Sequence, residues 1–255
     1  MKYKLNPAAT TTYTAGHRQH ASIAPEKFEE ALHAAHEVIN EIAGFKVNIF
    51  EILGMRNLSA FIGELYAASL ITVTGSQYRK NPHQDGYPDL LLMDSYGQTL
   101  YQDLERAGQI REKGPFSPFP NGGIEIKATC GTVPTPDQCR RIGLSEKPDI
   151  GHQRIAVMKG YDWKAHHRET NNLAGILWDF IDGVPRIVAV FFCPTLTEED
   201  WGKIIQPKEG GGRTTSVSIM TRAGVARMYR HWVAVIDDDA RYKEFLNRHN
   251  SGRLL

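Results

Sequence analysis

The sequence predicts a mixed α/β domain of the α+β kind, with a central mixed β-sheet flanked by helices. Helical periodicity comes first in the chain, short apolar runs typical of strands follow, and the two strongest runs are joined by a hairpin turn. Helices followed by a largely hairpin-built sheet favour this fold class. A chain of 255 residues suits a single domain over residues 1–255 and is long enough to bury a substantial core.

Two helices are predicted in the first part of the chain. The first has Pro25 in its opening turn, ends at Gly44, and carries an apolar stripe at helical spacing: Phe28, Leu32, Ala35, Ile39 and Ile42. The second is predicted to begin after Ser59 as its N-cap, with an apolar stripe that flanks Glu64: Phe61, Ile62, Leu65, Tyr66 and Leu70. A polar loop over residues 76–86 is expected to follow.

Strand patterns occupy most of the remaining chain. Apolar runs predict strands at 87–93 and 122–129, with a helical segment and a Pro-rich loop between them. The strongest strands are 173–181 and 186–192, joined by Asp182-Gly183, a hairpin turn signal. Weaker strands are predicted at 214–220 and 232–236, and a closing helix at 238–248, with Tyr242, Phe245 and Leu246 facing inward. Residues 132–148 are interpreted as irregular and residues 151–168 as a polar helix.

Composition excludes several classes of protein. No run of about 18 apolar residues is present, so no transmembrane helix is expected, and the first residues lack the apolar stretch of a secretory signal. Cys130, Cys139 and Cys193 have no CxxC spacing, which argues against structural zinc and against a disulfide framework. The expected location is therefore a reducing cytoplasm.

Charge distribution leaves two interpretations open. The formal net charge is only +1, but basic residues crowd two stretches: Arg140, Arg141, Lys147, Arg154, Lys159, Lys164 and Arg168 in one, and Arg213, Arg222, Arg227 and Arg230 in the other. One basic face on a near-neutral protein would suit phosphate binding. Solvated loops and helix faces explain the same charges equally well.

The residues that point to chemistry are Asp89, in Pro88-Asp89, and the segment Glu125-Ile126-Lys127. Hydrolysis of a phosphodiester needs a metal that lowers the pKa of a water and neutralises developing charge. Mg²⁺ is typically held by a few carboxylates, such as Asp89 and Glu125 could supply from adjacent strands. Lys127 lies two residues after Glu125 on the same strand face, where it could orient or activate the water or stabilise the transition state.

Rival patterns exist. Pro136-Asp137 and Pro148-Asp149 repeat the first motif in an irregular stretch, and Asp162-Trp163-Lys164 repeats the second in a segment interpreted as lacking strand alternation. Only Asp89 and Glu125-Ile126-Lys127 lie in strand-like apolar runs. A half-exposed strand with a solvated Glu–Lys face remains an equally good explanation of the pattern alone, although charge on such a strand needs a reason.

The chain resembles a known family of nucleases. The segments 84–90 (QDGYPDL) and 124–129 (IEIKAT) are similar to the catalytic segments of PD-(D/E)XK restriction endonucleases of the EcoRV type. Segment 58–65 (LSAFIGEL) resembles that family's helix with an auxiliary acid, and segment 210–215 (GGGRTT) resembles its recognition loop. The four short segments occur in the family's order, although Glu125 stands where the EcoRV pattern has Asp, and Arg213 is a further difference that suggests a different target sequence.

The resemblance implies a function and a set of roles. It implies a type II restriction endonuclease that cleaves double-stranded DNA with Mg²⁺ and leaves 5′-phosphate ends, built on a PD-(D/E)XK core. The catalytic core would lie at about 58–130 and the recognition and C-terminal part at about 170–250. Asp89 and Glu125 would bind Mg²⁺, Lys127 would position or activate water, and Glu64 would be an auxiliary ligand. The implied DNA contacts are Gly212, Arg213, Thr214 and Thr215 for bases, and His83 and Gln84 near the minor groove or backbone.

The same resemblance implies partners, and it leaves alternatives. It implies a homodimer on a short palindromic site, and a cognate DNA methyltransferase in the host. One alternative is a structure-specific or repair nuclease of the same fold, such as a resolvase. Another is a DNA-binding protein without catalysis on this scaffold.

Other features receive simpler interpretations. His166-His167 is expected to end a solvated basic helix, or to contact phosphate if it has a role. Residues 13–18 could form an arm that contacts DNA or another subunit. The tryptophans are expected in the core or an interface: Trp163, Trp178, Trp201 and Trp232.

Overall fold

The computed structural model describes residues 1–144, 147–207 and 216–249. Its strands are β1 (Tyr3–Leu5), β2 (Thr12–Thr14), β3 (His20–Ser22), β4 (Tyr78–Lys80), β5 (Leu90–Leu92), β6 (Gly123–Thr129), β7 (Lys164–Ala165), β8 (Leu173–Ile181), β9 (Val184–Cys193), β10 (Ser218–Ile219) and β11 (Trp232–Ile236). Its α-helices are α1 (Pro25–Ala43), α2 (Ile49–Thr74), α3 (Ser95–Arg106), α4 (Pro136–Arg141), α5 (Arg222–Arg230) and α6 (Ala240–His249).

The centre of the fold is a seven-stranded mixed sheet in the order β1-β11-β9-β8-β6-β5-β4. Strands β6 and β8 pair in parallel, with Lys127 opposite Gly175, and the other neighbouring pairs in this sheet are antiparallel. The predicted fold class, a mixed sheet flanked by helices, is confirmed.

Helices cover the sheet on both faces and separate its two main cores, and a third, smaller cluster forms around Tyr101 of α3. Ile124 and Ile126 of β6 pack with α1 and α2 in one core, together with Ala174, Ile176 and Trp178 of β8. Residues of opposite parity on β8, such as Leu173 and Leu177, pack in a second core with α5 and α6. Because successive side chains of a strand point to opposite faces, Glu125 and Lys127 face the second side.

Several elements lie where the sequence predicts them. Helix α1 spans Pro25–Ala43 and is followed by Gly44 as its C-cap. The hairpin of β8 and β9 turns at Asp182 and Gly183, both left-handed with φ of 53° and 76°, as the favoured hairpin turn requires. The inward residues of the closing helix, Tyr242, Phe245 and Leu246, are buried. All four tryptophans are buried in the core: Trp163, Trp178, Trp201 and Trp232.

The predicted start of the second helix is wrong. Helix α2 begins at Ile49, ten residues before Ser59, and its N-cap is Asn48, whose side chain accepts hydrogen bonds from the backbone of Phe50 and Glu51. Gly54 interrupts the helical geometry with φ of 65°, which hides the first part of the helix from a periodicity argument. Ser59 lies inside the helix, where its hydroxyl accepts a hydrogen bond from Nε1 of Trp178.

The polar helix predicted at residues 151–168 is also wrong. The segment is irregular apart from β7, and its side chains alternate: Tyr161, Trp163 and Ala165 are buried, whereas Asp162, Lys164 and His166 are not. Strand alternation is therefore present here, contrary to the sequence interpretation. Buried and exposed side chains alternate at every second residue. An extended backbone places such residues on two opposite faces, whereas a helix, with 3.6 residues per turn, would not.

Three further segments are more ordered than the sequence predicts. The loop predicted at 76–86 contains β4, and the stretch 132–148 contains the short helix α4. The N-terminal segment is no free arm, because β1 pairs with β11, and Tyr13 on β2 is buried with its hydroxyl 2.9 Å from that of Tyr78. Short strands that rely on a distant partner carry too little periodicity to be predicted.

One helix meets the length and composition of a membrane span, which the sequence argument did not anticipate. It runs from Ile49 to Gln77, and its mean hydropathy reaches 1.3 with 33% of that window buried. Leu58, Ile62, Tyr66 and Leu70 of this helix pack into the first core, as in the core helix of a soluble protein. Length and composition alone are weak grounds for a membrane segment.

A buried histidine ties α1 to the sheet. Nε2 of His36 accepts a hydrogen bond from the backbone N–H of Ile187 at 2.9 Å, and Nδ1 lies 3.2 Å from the hydroxyl of Tyr3. That hydroxyl donates to the carbonyl of Ile187 at 2.7 Å, so the ring is neutral with its proton on Nδ1. Burial, aided by nearby Arg186, lowers the pKa of His36 to about 3.

We expect this histidine to make the fold acid-sensitive. Between the ordinary pKa of 6.5 and about 3, the unfolded chain binds a proton that the folded chain does not. The free energy of unfolding should therefore fall by about 1.4 kcal/mol per pH unit as the pH drops through this window. His36→Gln keeps an acceptor for Ile187 but cannot titrate. Urea unfolding of both proteins across this range isolates the effect, since other titrating groups cancel, and a pH-independent difference would contradict it.

Candidate active site

The predicted catalytic residues meet where β5 and β6 separate. These strands pair only through Leu90–Ile124 and Leu91–Gly123. Beyond that point a side chain takes the place of a β5 backbone carbonyl as the partner of β6. Oδ2 of Asp89 accepts a hydrogen bond from the N–H of Ile126 at 2.8 Å. Oε2 of Glu125 accepts in return from the N–H of Asp89 at 3.1 Å. We call this point, formed by Asp89 and residues 125–127, the fork.

Lys127 joins the two carboxylates at the fork. Its Nζ lies 2.5 Å from Oε1 of Glu125 and 3.3 Å from Oδ2 of Asp89. One ammonium group therefore bridges the two acids that the sequence predicts as metal ligands. Glu125 is 5% exposed, and the side chains of Lys127 and Asp89 are 23% and 29% exposed. The solvated Glu–Lys face considered above does not describe this strand.

The electrostatics of the fork follow from this burial. Burial raises the pKa of Glu125 to about 7, although Lys127 opposes the rise. Burial alone would lower the pKa of Lys127, but Glu125 and Asp89 more than offset this and hold its pKa above the ordinary value. Lys127 is therefore a cation at neutral pH in this state, so it is suited to orienting a water or stabilising negative charge rather than to removing a proton.

The donor set at the fork fits a divalent cation. The ammonium of Lys127 occupies a position that a metal cation could take. One oxygen of Asp89 and one oxygen of Glu125 both lie within reach of this single positive charge. Mg²⁺ is commonly held by one or two carboxylates and completes its shell with water and phosphate oxygens. Among the described residues no group of three or more His, Cys, Asp or Glu forms a metal cluster.

The fork opens into a cavity of about 790 Å³. Helix α2 forms part of the cavity wall. It crosses β6 closely at Gly63, where an added Cβ would lie 3.6 Å from the Cβ of Ala128. The segment that contains β7 also lines the cavity. Eleven of the lining residues are acids or bases: the acids Glu64, Asp85, Asp89, Glu125 and Asp162, and the bases Arg56, Lys80, His83, Lys127, Lys164 and His166.

Glu64 lines the cavity but does not join the fork. Its Oε2 pairs with Nζ of Lys80 at 2.5 Å, and its side chain is 57% exposed. The role of Glu64 as an auxiliary metal ligand therefore stays a prediction. Glu64 lines the same cavity as the fork, but its carboxylate pairs with Lys80.

The loop that leads to Asp89 is organised by a residue that the sequence argument missed. Asn81 is buried, its Nδ2 donates to the carbonyls of Pro88 and Phe116, and its Oδ1 accepts from the N–H of His83. Gly86 packs directly on it, since a Cβ there would lie 2.4 Å from Oδ1 of Asn81. The Asn81-Pro82 pair was a visible turn signal for this role.

The predicted DNA contacts divide into two groups. His83 and Gln84 both line the cavity, but Nε2 of His83 lies 3.0 Å from the carbonyl of Ile110, which fixes the ring, whereas Gln84 is exposed. The remaining predicted contacts lie outside the described residues: Gly212, Arg213, Thr214 and Thr215.

The rival motif lies in the same cavity. Asp162, Lys164 and His166 line it, so a segment that the sequence argument set aside as a rival lies at the same cavity as the fork. His167 packs edge-on against Tyr87 with ring centroids 4.3 Å apart, and burial lowers its pKa. The two-residue alternation of polar and buried side chains was the signal that could have found this row.

Comparison with known proteins gives no assignment. No family profile, curated protein or solved structure matches this chain. The resemblance to restriction endonucleases therefore rests on the four short sequence segments alone.

Proposed function

We propose that this protein is a type II restriction endonuclease, which hydrolyses phosphodiester bonds of double-stranded DNA at a short specific sequence with Mg²⁺. The observation that carries the proposal is the convergence of Asp89, Glu125 and Lys127 at the fork, in a polar cavity. Two carboxylates could hold a metal ion for the attack of water on a phosphodiester, and a lysine could orient the water or stabilise developing charge.

Each residue at the fork has a distinct task in this proposal. Asp89 and Glu125 would hold Mg²⁺, and the chemistry that this ion would supply is a lowered pKa of a water and neutralisation of charge on the phosphate. The backbone N–H groups of Ile126 and Asp89 fix the two carboxylates, so the site is ordered before substrate arrives. Lys127, as a cation, orients the water or stabilises the pentavalent phosphorus.

The wider proposal concerns location and partners. We place the protein in the cytoplasm, as a homodimer on a palindromic site, with a host methyltransferase that protects the same sequence. Base contacts are assigned to Arg213, Thr214 and Thr215 on the resemblance alone, and Arg213 suits the O6 and N7 edge of guanine. Cleavage is proposed to leave 5′-phosphate ends.

A plasmid digest tests the function. The purified full chain is incubated with several plasmids in Mg²⁺, beside an EDTA control, and the fragment ends are sequenced. Discrete fragments that share a palindrome at their ends are the expected result. A smear or structure-dependent nicking would replace restriction by a repair or resolvase activity of the same fold. DNA binding in Ca²⁺ with no cleavage of any plasmid in Mg²⁺ would instead support a non-catalytic DNA-binding protein.

The pKa of Glu125 makes a second, independent prediction about Mg²⁺. Because a protonated carboxyl is a poor ligand, the affinity for Mg²⁺ should fall by up to about tenfold per pH unit below about pH 7. Calorimetric titration with Mg²⁺ at about pH 6 and about pH 8 measures this. His167→Gln is the control, since it removes a neighbouring titratable ring and should keep the pH dependence. Equal affinity at both pH values would contradict the role of Glu125.

A further inference from the structure

A row of three polar side chains lines the same cavity as the fork. Asp162, Lys164 and His166 alternate with Trp163 and Ala165, which are both 1% exposed. Alternate residues of an extended chain share one face, and this face lines the cavity. We call these three residues the polar row.

The polar row is fixed relative to Lys127 by one close contact. In the sheet Gly175 pairs with Lys127, so the two residues point to the same face. A Cβ on Gly175 would lie 2.6 Å from the ring of Trp163, so the absence of a side chain there admits the indole. Trp163 is therefore packed on the sheet beside Lys127, and it anchors its chain neighbours Asp162 and Lys164, which share the other face of the segment.

The charge of Lys164 is not neutralised by a partner. Lys80 pairs with Glu64, and Lys127 pairs with Asp89 and Glu125. The side chain of Lys164 makes no hydrogen bond or salt bridge with any residue in the described ranges, although its backbone lies in the pairing of β7 with β10. Its charge opposes the rise that burial causes in the pKa of Asp162. Lys164 is thus a cation on the cavity lining with its donors available to a ligand.

His166 offers a second polar atom beside Lys164. Its Nδ1 lies 3.0 Å from the carbonyl oxygen of Ser216, and because a carbonyl only accepts, Nδ1 carries a hydrogen. Nε2 is the ring nitrogen left for a ligand, and it becomes a donor when the ring is cationic. Ser216 is the first described residue after 208–215. Strand β10, which begins two residues later, pairs with β7.

We propose that Lys164, assisted by His166, binds a backbone phosphate of the DNA next to the phosphate that is cleaved. This inference rests on the proposed nuclease function, and it adds a binding site that the four resembling segments do not contain. Lys164 lies on β7, which pairs with β10, and His166 contacts Ser216 two residues before β10, so both side chains are positioned by the same strand pair. Asp162 limits the positive charge of the row at its other end.

Salt-dependent binding tests the phosphate site. The parent protein is the Asp89→Ala variant, which cannot cleave, and the probe is a fluorescent duplex that carries the mapped cleavage sequence. Anisotropy titrations over a series of KCl concentrations give the slope of log affinity against log salt. Lys164→Gln should weaken binding and reduce the magnitude of that slope by about 0.9, the loss of one phosphate contact. It should weaken binding to an unrelated duplex by a similar factor, as a backbone contact does.

Two further variants sharpen the test. Asp162→Asn should change affinity in the opposite direction, since it removes a negative charge beside the phosphate. Lys4→Gln is the matched control, because Lys4 is exposed on β1 at the far edge of the sheet and should leave both affinity and slope unchanged. Circular dichroism checks that each variant folds, as expected for substitutions of exposed or half-buried side chains.

The outcomes separate this inference from the function on which it rests. If the parent binds duplex and Lys164→Gln keeps its slope and affinity, the phosphate site is overturned and the nuclease proposal stands. If the wild type neither cleaves nor binds duplex DNA, both are overturned. A loss of binding by Lys164→Gln on the specific duplex alone would also overturn a backbone contact, because phosphate contacts act on all sequences.

Discussion

Replacing Lys127 by alanine is expected to lower the rate of Mg²⁺-dependent DNA cleavage by at least about 100-fold, the usual effect of removing one group that stabilises a charged transition state. The side chain is 23% exposed, so the protein should still fold. The loss of the bridging ammonium frees oxygens of Asp89 and Glu125, but it also removes the charge that opposes the rise in the pKa of Glu125. The affinity for Mg²⁺ should therefore be kept or increased only well above pH 7, where this carboxyl is ionised. Cleavage assays and calorimetric Mg²⁺ titrations on the same preparation measure the two effects.

The companion variant Asp89→Ala is expected to differ in a defined way. It removes a metal ligand and the acceptor for the N–H of Ile126, so both cleavage and Mg²⁺ affinity should be lost. Lys4→Ala serves as the control that removes a lysine from the opposite edge of the sheet without effect. Cleavage at the wild-type rate by Lys127→Ala or by Asp89→Ala would remove the site assignment altogether.

Gly123→Ala is expected to destabilise the fold and disable the fork together. A Cβ on Gly123 would lie 1.8 Å from the carbonyl oxygen of Leu90, and φ at this position is 153°. Neither backbone can yield without breaking the short pairing of β5 with β6, which consists of Leu90–Ile124 and Leu91–Gly123. The cost should be roughly 3 kcal/mol or more, at the upper end for overpacking, and Asp89 should move away from Glu125.

A matched glycine separates the clash from backbone strain. Gly108 also has a positive φ, 72°, but a Cβ there would meet nothing within 4 Å. Gly108→Ala should cost only about 1–2 kcal/mol, the ordinary penalty for a left-handed residue with a side chain, and should leave cleavage intact. Urea unfolding and cleavage assays compare the two proteins. Equal destabilisation of both variants would show that the contact with Leu90 is not the cause.

Local patterns determined much of this protein. The spacing of Phe28, Leu32 and Ile39 places α1, and Asp182-Gly183 places the turn of the long hairpin, because both signals depend on residues close in sequence. The alternation of Ile124 and Ile126 with Glu125 and Lys127 likewise puts the two charged residues on one strand face. With Asp89, these residues form the candidate site that the structure brings together at the fork.

Tertiary structure decided what depends on partners distant along the chain. The start of α2 and the course of residues 151–168 were predicted wrongly, since the break at Gly54 and the packing of Trp163 on Gly175 are invisible in any local window. The rise in the pKa of Glu125 exists only after burial, and Lys127 stays a cation in the same place because Glu125 and Asp89 offset the effect of burial on its pKa. The polar row likewise lines the cavity only because Trp163 packs on the distant Gly175. Sequence specifies which groups are available, whereas desolvation and long-range contacts specify which of them meet and in what charge state.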